Sequence, residues 1–101
     1  MFKLSTEVKD KECFISIAGS LDALTCAAAE QKIDNVVAEN KNIEKITLNL
    51  KNLVYISSLG LRIFFKLAKQ FPDSVKIFNV PEDVMTIFKM VGIDKTMGVI
   101  I

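Results

Sequence analysis

The chain has 101 residues, half of them hydrophobic and a quarter charged, with a formal net charge of +1. That length leaves room for a single domain, residues 1–101, around one core, and the near-neutral balance supplies no basic excess for nucleic acid or an anionic membrane. The sequence contains no histidine, which excludes Ser-His-Asp and Cys-His catalysis and every His-based metal site within the chain.

Other signals of chemistry are also missing. There is no Gly-x-Ser-x-Gly elbow, Walker loop or Gly-x-Gly-x-x-Gly, so an enzyme here would have to work with Asp, Lys or Ser alone. The expectation is a protein without catalytic residues, metal or cofactor. The N-terminal stretch MFKLSTEVKDKE has no apolar core of the kind a signal peptide needs. The longest uncharged run, Asn52 to Leu61, is far too short to cross a bilayer. Cys13 and Cys26 fall in apolar-patterned segments and are not spaced as metal ligands. They read as reduced core cysteines of a cytoplasmic protein.

In chain order, Phe2 to Val8 reads as a first strand. Cys13 to Ala18 alternates clearly and follows a hairpin connection at Asp10-Lys11-Glu12. Gly19-Ser20 closes that strand. Leu21-Asp22 then leads into a first helix capped by Asp22 or Thr25, whose stripe is Cys26, Ala29, Ile33, Val36 and Val37. Asn40 to Asn42 ends the helix, and Lys45 to Leu50 is a strand with Ile46, Leu48 and Leu50 on one face. The apolar run from Ile46 to Val54 is broken by the turn-like Lys51-Asn52. It hands over to a second helix from Ser58 to Gln70, which Pro72 stops. Ser57 or Ser58 is the natural N-cap of this helix. Ser74 to Val80 is a buried strand. Pro81 opens a third helix with core residues Val84, Ile87, Phe88 and Val91, which Gly92 terminates. Lys95 to Ile101 is a last strand or an extended tail. The order ββαβαβα(β) predicts an α/β fold, a mixed sheet packed with about three helices.

The second helix is apolar on two sides. Leu61, Phe64, Phe65 and Ala68 gather on one side, which must face the core, and Leu59, Ile63 and Leu67 on nearly the opposite one. Arg62, Lys66 and Lys69 lie between them. The second apolar side is covered by a neighbouring helix or offered to a partner. The strand-to-helix junction before this helix also presents a hydroxyl beside the positive end of a helix, where a phosphate would be welcome. An ordinary cap would look the same.

Tyr55-Ile56-Ser57-Ser58-Leu59-Gly60-Leu61 resembles the Asp-Ser-Ser/Thr/Ala-Gly-Leu signature of the bacterial anti-sigma-factor antagonists, the STAS domain family. The resemblance runs over nearly the whole chain. Gly19-Ser20-Leu21-Asp22 sits where the family has its Gly-x-Leu/Ile-Asp turn, with Thr25 after it. Ile46 to Leu50 looks like the family's central strand, and Phe88 to Lys95 like its segment joining the third helix to the last strand. The resemblance implies a small STAS-like domain whose serine, Ser58 by position, is phosphorylated by a serine-kinase anti-sigma factor and reset by a matching phosphatase. The unphosphorylated form would hold the kinase and free a sigma factor. Ser57 stands where the signature has Asp, and Leu59 where it has a small residue.

Carried onto this sequence, the expected phosphorylation site is Ser58, with Ser57 the runner-up. The expected partner-binding residues are Asp22, Tyr55, Ser57, Ser58, Leu59, Arg62 and Ile63. The protein would be cytoplasmic, a monomer or weak dimer, without nucleic acid or membrane as partner. The other reading is a STAS interaction subunit that works without phosphorylation, as a scaffold or in association with lipid transport.

Overall fold

The computed structural model describes residues 2–93 together with the backbone of residues 98–100. The elements follow in the order β1 (Phe2–Lys9), β2 (Glu12–Leu21), α1 (Cys26–Glu39), β3 (Lys45–Asn49), β4 (Leu53–Ile56), α2 (Ser58–Gln70), β5 (Val75–Phe78), α3 (Glu82–Val91) and β6 (Gly98–Ile100). The expected final strand is present as β6. The remainder of that stretch, Lys95 to Met97 and Ile101, lies outside the described residues.

The strands form one mixed sheet in the order β1-β2-β3-β5-β6, with β4 also paired to β2. β1 and β2 are an antiparallel hairpin whose turn residues Asp10 and Lys11 both take positive φ, 52° and 70°. That backbone twist matches the right-handed twist of the flanking strands. Every other pairing is parallel. Along β2 the residues Cys13, Ile15 and Ile17 point into the core while Phe14 and Ser16 point out, and β3 and β5 alternate in step with Ile46, Leu48, Val75 and Ile77 inside. A period of two is what burial of one sheet face requires. Both cysteines are free and buried.

The sequence pattern hid one strand. The run after Leu50 was expected only as an apolar lead into the second helix, but Leu53–Ile56 is a strand of its own. β2 accordingly runs past Gly19-Ser20 to Leu21 and changes neighbours from β3 to β4 on the way. The register shifts between Gly19 and Ser20, where Gly19 pairs with Leu53 and Ser20 with Tyr55. Gly19 supplies the φ of 87° at this irregularity, a backbone position that glycine adopts without steric cost. The extra residue, Val54, breaks the alternation, so Val54 and Tyr55 are both exposed between buried Leu53 and Ile56.

The helices cover the buried face. α1 packs against α2, and α2 meets α3 through an edge-to-face pair of Phe64 and Phe88, ring centroids 6.0 Å apart at 79°. α2 is therefore buried on both flanks. Gly60, Leu61, Ile63, Phe64 and Leu67 are its buried residues, and Phe65 and Ala68 sit at the margin. In α3 the buried face centres on Val84, Met85 and Phe88. This rotates Ile87 to its margin and leaves Val91, expected in the stripe, exposed. Gly92 ends α3 in the left-handed conformation, as its sequence position predicts.

Candidate functional site

The parallel strands β2 and β4 end side by side, with Leu21 opposite Ile56. Two connections leave the sheet together there, residues 22–25 into α1 and Ser57 into α2. Adjacent loops at the carboxyl ends of parallel strands are the place where α/β sheets build sites.

The first connection is a knot of side-chain hydrogen bonds. The Asp22 carboxylate accepts from the amides of Leu24 and Thr25 at 2.9 and 3.2 Å. The Thr25 hydroxyl accepts from the Asp22 amide at 2.9 Å and donates to the Ser20 carbonyl at 2.8 Å. Thr25 precedes α1 without a side-chain cap bond to the helix itself. Of the two residues expected to cap α1, each instead ties down the turn before it. Leu24, at the tip of this turn, is 92% exposed.

The second connection is held by backbone and by close packing. The Ser57 amide donates to the Leu21 carbonyl at 2.9 Å, and the Ser57 hydroxyl accepts from the Gly60 amide at 3.3 Å. Ser57 is thus the N-cap of α2. Its hydroxyl also lies 3.8 Å from the Cys26 thiol, which links the two connections. Burial raises the pKa of that thiol; the contact with Ser57 works the other way, and the carboxylates of Asp22 and Glu30 push it up further. Cys26 is therefore a poor nucleophile. Gly60 has no room for a side chain, since a Cβ there would stand 2.8 Å from Ile56 Cγ1 and 3.0 Å from the Leu21 side chain. The first turn of α2 is seated directly on the ends of β2 and β4 because residue 60 is glycine.

Ser58, the first residue of α2, is exposed. Its hydroxyl has no hydrogen-bond partner among the described residues, in contrast to its neighbour Ser57. Exposed apolar side chains lie close to it in the chain: Leu59 at 41%, Tyr55 at 51% and Val54 at 74% exposure. A groove of about 540 Å³ runs between α1 and α2, lined among others by Ala23, Cys26, Glu30, Leu59, Arg62 and Ile63. Farther along, Lys66 joins the two helices through Glu30 at 3.1 Å and Asp34 at 3.0 Å. The hydrogen bonds that its ammonium donates to Asp34 and, second, to Glu30 push the Lys66 pKa above the ordinary lysine value.

The structure brings Asp22, Tyr55, Ser57, Ser58, Leu59 and Arg62 to this end of the molecule. Ile63 is different. It was expected at the partner surface but is only 4% exposed. α1 lies alongside this flank of α2, so of the two alternatives, a neighbouring helix or a partner, the helix is the cover for Ile63 and Leu67, which belong to the core. Asp22 turns its carboxylate to backbone amides and acts as an organiser of its turn. Leu24 and Val54 were not singled out from sequence. A leucine between Asp22 and Thr25, two turn-forming residues, was a readable signal for Leu24. Val54 is exposed through a register shift that residue patterns do not show.

The STAS domain family model matches residues 3–100. The chain is 32% identical over 84 residues to the anti-sigma-F factor antagonist RsfB of Mycobacterium tuberculosis, a match that covers 81% of this chain and 67% of RsfB. It superposes on the crystal structure of an anti-sigma factor antagonist from Mycobacterium paratuberculosis with a TM-score of 0.85 at 22% identity, over 98% of this chain and 85% of that one. The antagonist SpoIIAA in its unphosphorylated form matches with a TM-score of 0.80 at 18% identity, over 100% and 89% of the two chains. The phosphorylated Bacillus form of SpoIIAA matches at 0.72 and 17%, over 100% and 92%. The structural likenesses carry the fold, and the model match over nearly the full length carries the family. The chain belongs to the STAS domain family.

Proposed function

We propose that this protein is an anti-sigma factor antagonist: a non-catalytic binding module that docks a serine-kinase anti-sigma factor and lets go of it when Ser58 is phosphorylated. The relationship to RsfB supports the first half of this reading. The observation that carries the second half is the contrast between two adjacent serines, Ser57 committed to capping α2 and Ser58 exposed with a hydroxyl that has no partner among the described residues. In the transfer the Ser58 oxygen bonds to the γ-phosphorus of ATP as the bond to the ADP oxygen breaks, and the hydroxyl proton passes to a base on the kinase. A phosphatase returns the serine by hydrolysis. The setting is the cytoplasm, and no helix among the described residues is long and apolar enough to cross a membrane.

Phosphate adds about −1.5 to −2 charges at neutral pH. In the free protein it would sit in water beside the amides of the first turn of α2, which favour an anion. In a complex the same group would be pressed against Leu59, Tyr55 and the partner, and a buried charge that is not fully compensated costs several kcal/mol. Taking a complex from almost fully bound to almost fully free needs about 5.5 kcal/mol, the upper end of what one desolvated phosphate supplies. The switch then works through the interface and leaves the fold intact.

Incubation with the cognate kinase and ATP, followed by mass spectrometry, tests this. Phosphate on Ser58, constitutive kinase binding by Ser58→Ala and weak binding by the phosphorylated chain are the expected results. Phosphate on Ser57 would move the site by one residue. No phosphate on either serine would leave a constitutive STAS subunit, the reading favoured by Ser57 standing where the family signature has Asp.

A further inference from the structure

We infer that Arg62 is the internal counter-ion of a phosphate carried on Ser58, so that modification both adds charge at the junction and withdraws a cation from its surface. This rests on the reading of Ser58 as the modified residue. Ser58 opens α2 and Arg62 stands one helical turn further on, a spacing that makes two side chains neighbours on a helix surface. Both are exposed. The ion pairs among the described residues join Lys11 to Glu44 and Lys66 to Glu30 and Asp34, and Arg62 takes part in none of them.

The competing charges are already committed. α2 has no acidic residue in its first turn. Across the junction, Asp22 has its carboxylate on the amides of Leu24 and Thr25. Glu30 and Asp34, the acids that α1 turns toward α2, are held by Lys66. Lys66 is in turn not available to a phosphate on Ser58, and Lys69 lies in the last turn of the helix. Arg62 is the cation left beside Ser58, and a guanidinium meets phosphate oxygens with two parallel N–H donors where lysine offers a point charge. A partner docked on the unmodified surface meets a positive side chain at this spot. After modification it meets a closed pair with a net negative charge.

The test uses the full chain with phosphoserine inserted at position 58 during translation, so it does not depend on any kinase. The second ionisation of the phosphate is followed by phosphorus NMR in the Arg62, R62Q and R62K forms. The helix N-terminus acts equally in all three. The native arginine should lower the phosphate pKa by about 0.2–0.4 pH unit relative to R62Q, the size of an exposed helical pair at this spacing. The difference should shrink in about 0.5 M salt, and R62K should retain part of it. Titration of the arginine and glutamine forms within about 0.1 pH unit of each other would overturn the pairing whatever a kinase does to Ser58. A clear shift in a chain that no kinase modifies would uphold the pairing and sink the switch instead.

Discussion

The starts of α1 and α2 lie side by side, follow neighbouring parallel strands and are built in opposite ways. Before α1, the chain is tied by side chains: Asp22 and Thr25 grip each other's backbone and hold Leu24 out into solvent. Before α2, the chain is seated by contact. Gly60 lets the helix rest on Ile56 and Leu21, and Ser57 alone supplies a cap. The difference is instructive. A polar knot consumes the hydroxyl and carboxylate that form it, whereas a start seated by packing leaves the next residue, Ser58, unengaged. The second design frees a reactive group without loosening the backbone beneath it.

The comparison breaks most severely where packing itself is attacked. Ile63→Asp should lose about 3–5 kcal/mol in chemical denaturation, since it places an uncompensated charge under α1. A nearly unchanged midpoint would return this flank of α2 to the surface. Gly60→Ala should lose about 1–3 kcal/mol, because its methyl meets Ile56 and Leu21 at overpacked distances. The gain in helix propensity from alanine opposes this only in part. A stabilised protein would mean that α2 lifts off the strands easily. Thr25→Val keeps the shape of the side chain but leaves the Asp22 amide and Ser20 carbonyl without its hydroxyl, at about 1–2 kcal/mol. Faster amide exchange at residues 22–25, with α2 unaffected, would show the two starts to be independent. The smallest and sharpest contrast is between the serines. Ser57→Ala should cost about 1 kcal/mol as a lost cap, and Ser58→Ala should stay within about 0.5 kcal/mol of the native protein. Equal losses would remove the distinction on which the site assignment stands.

Much of this could be read from residues. Apolar periodicity located the three helices, Pro72 and Gly92 marked two of their ends, and the α/β class followed from the order of elements. The Ser57-Ser58 junction was legible because a strand pattern met a helix pattern at two hydroxyls. What was not legible arises from contacts distant in sequence. β4 is short, and its exposed Val54-Tyr55 pair breaks the alternation that marks a strand, so only its pairing with β2 reveals it. The fate of Ile63 depended on which helix lies alongside, and α2 alone carries no record of that neighbour. Helical spacing separated two apolar sides correctly but could not say that the second is covered at Ile63 and Leu67 and left open at Leu59.

The Ser57 cap also has a kinetic meaning. An enzyme that modifies a hydrogen-bonded hydroxyl must wait for the bond to open, so its rate is scaled by the fraction of time the site is open. The Ser57 oxygen accepts from the Gly60 amide and its own amide is bonded to Leu21, so presenting that oxygen to an enzyme would mean opening the start of α2. Ser58 carries no such requirement. Two serines adjacent in the chain thus differ in readiness before any enzyme selects between them, and stabilising the domain would slow reaction at the first while leaving the second unchanged.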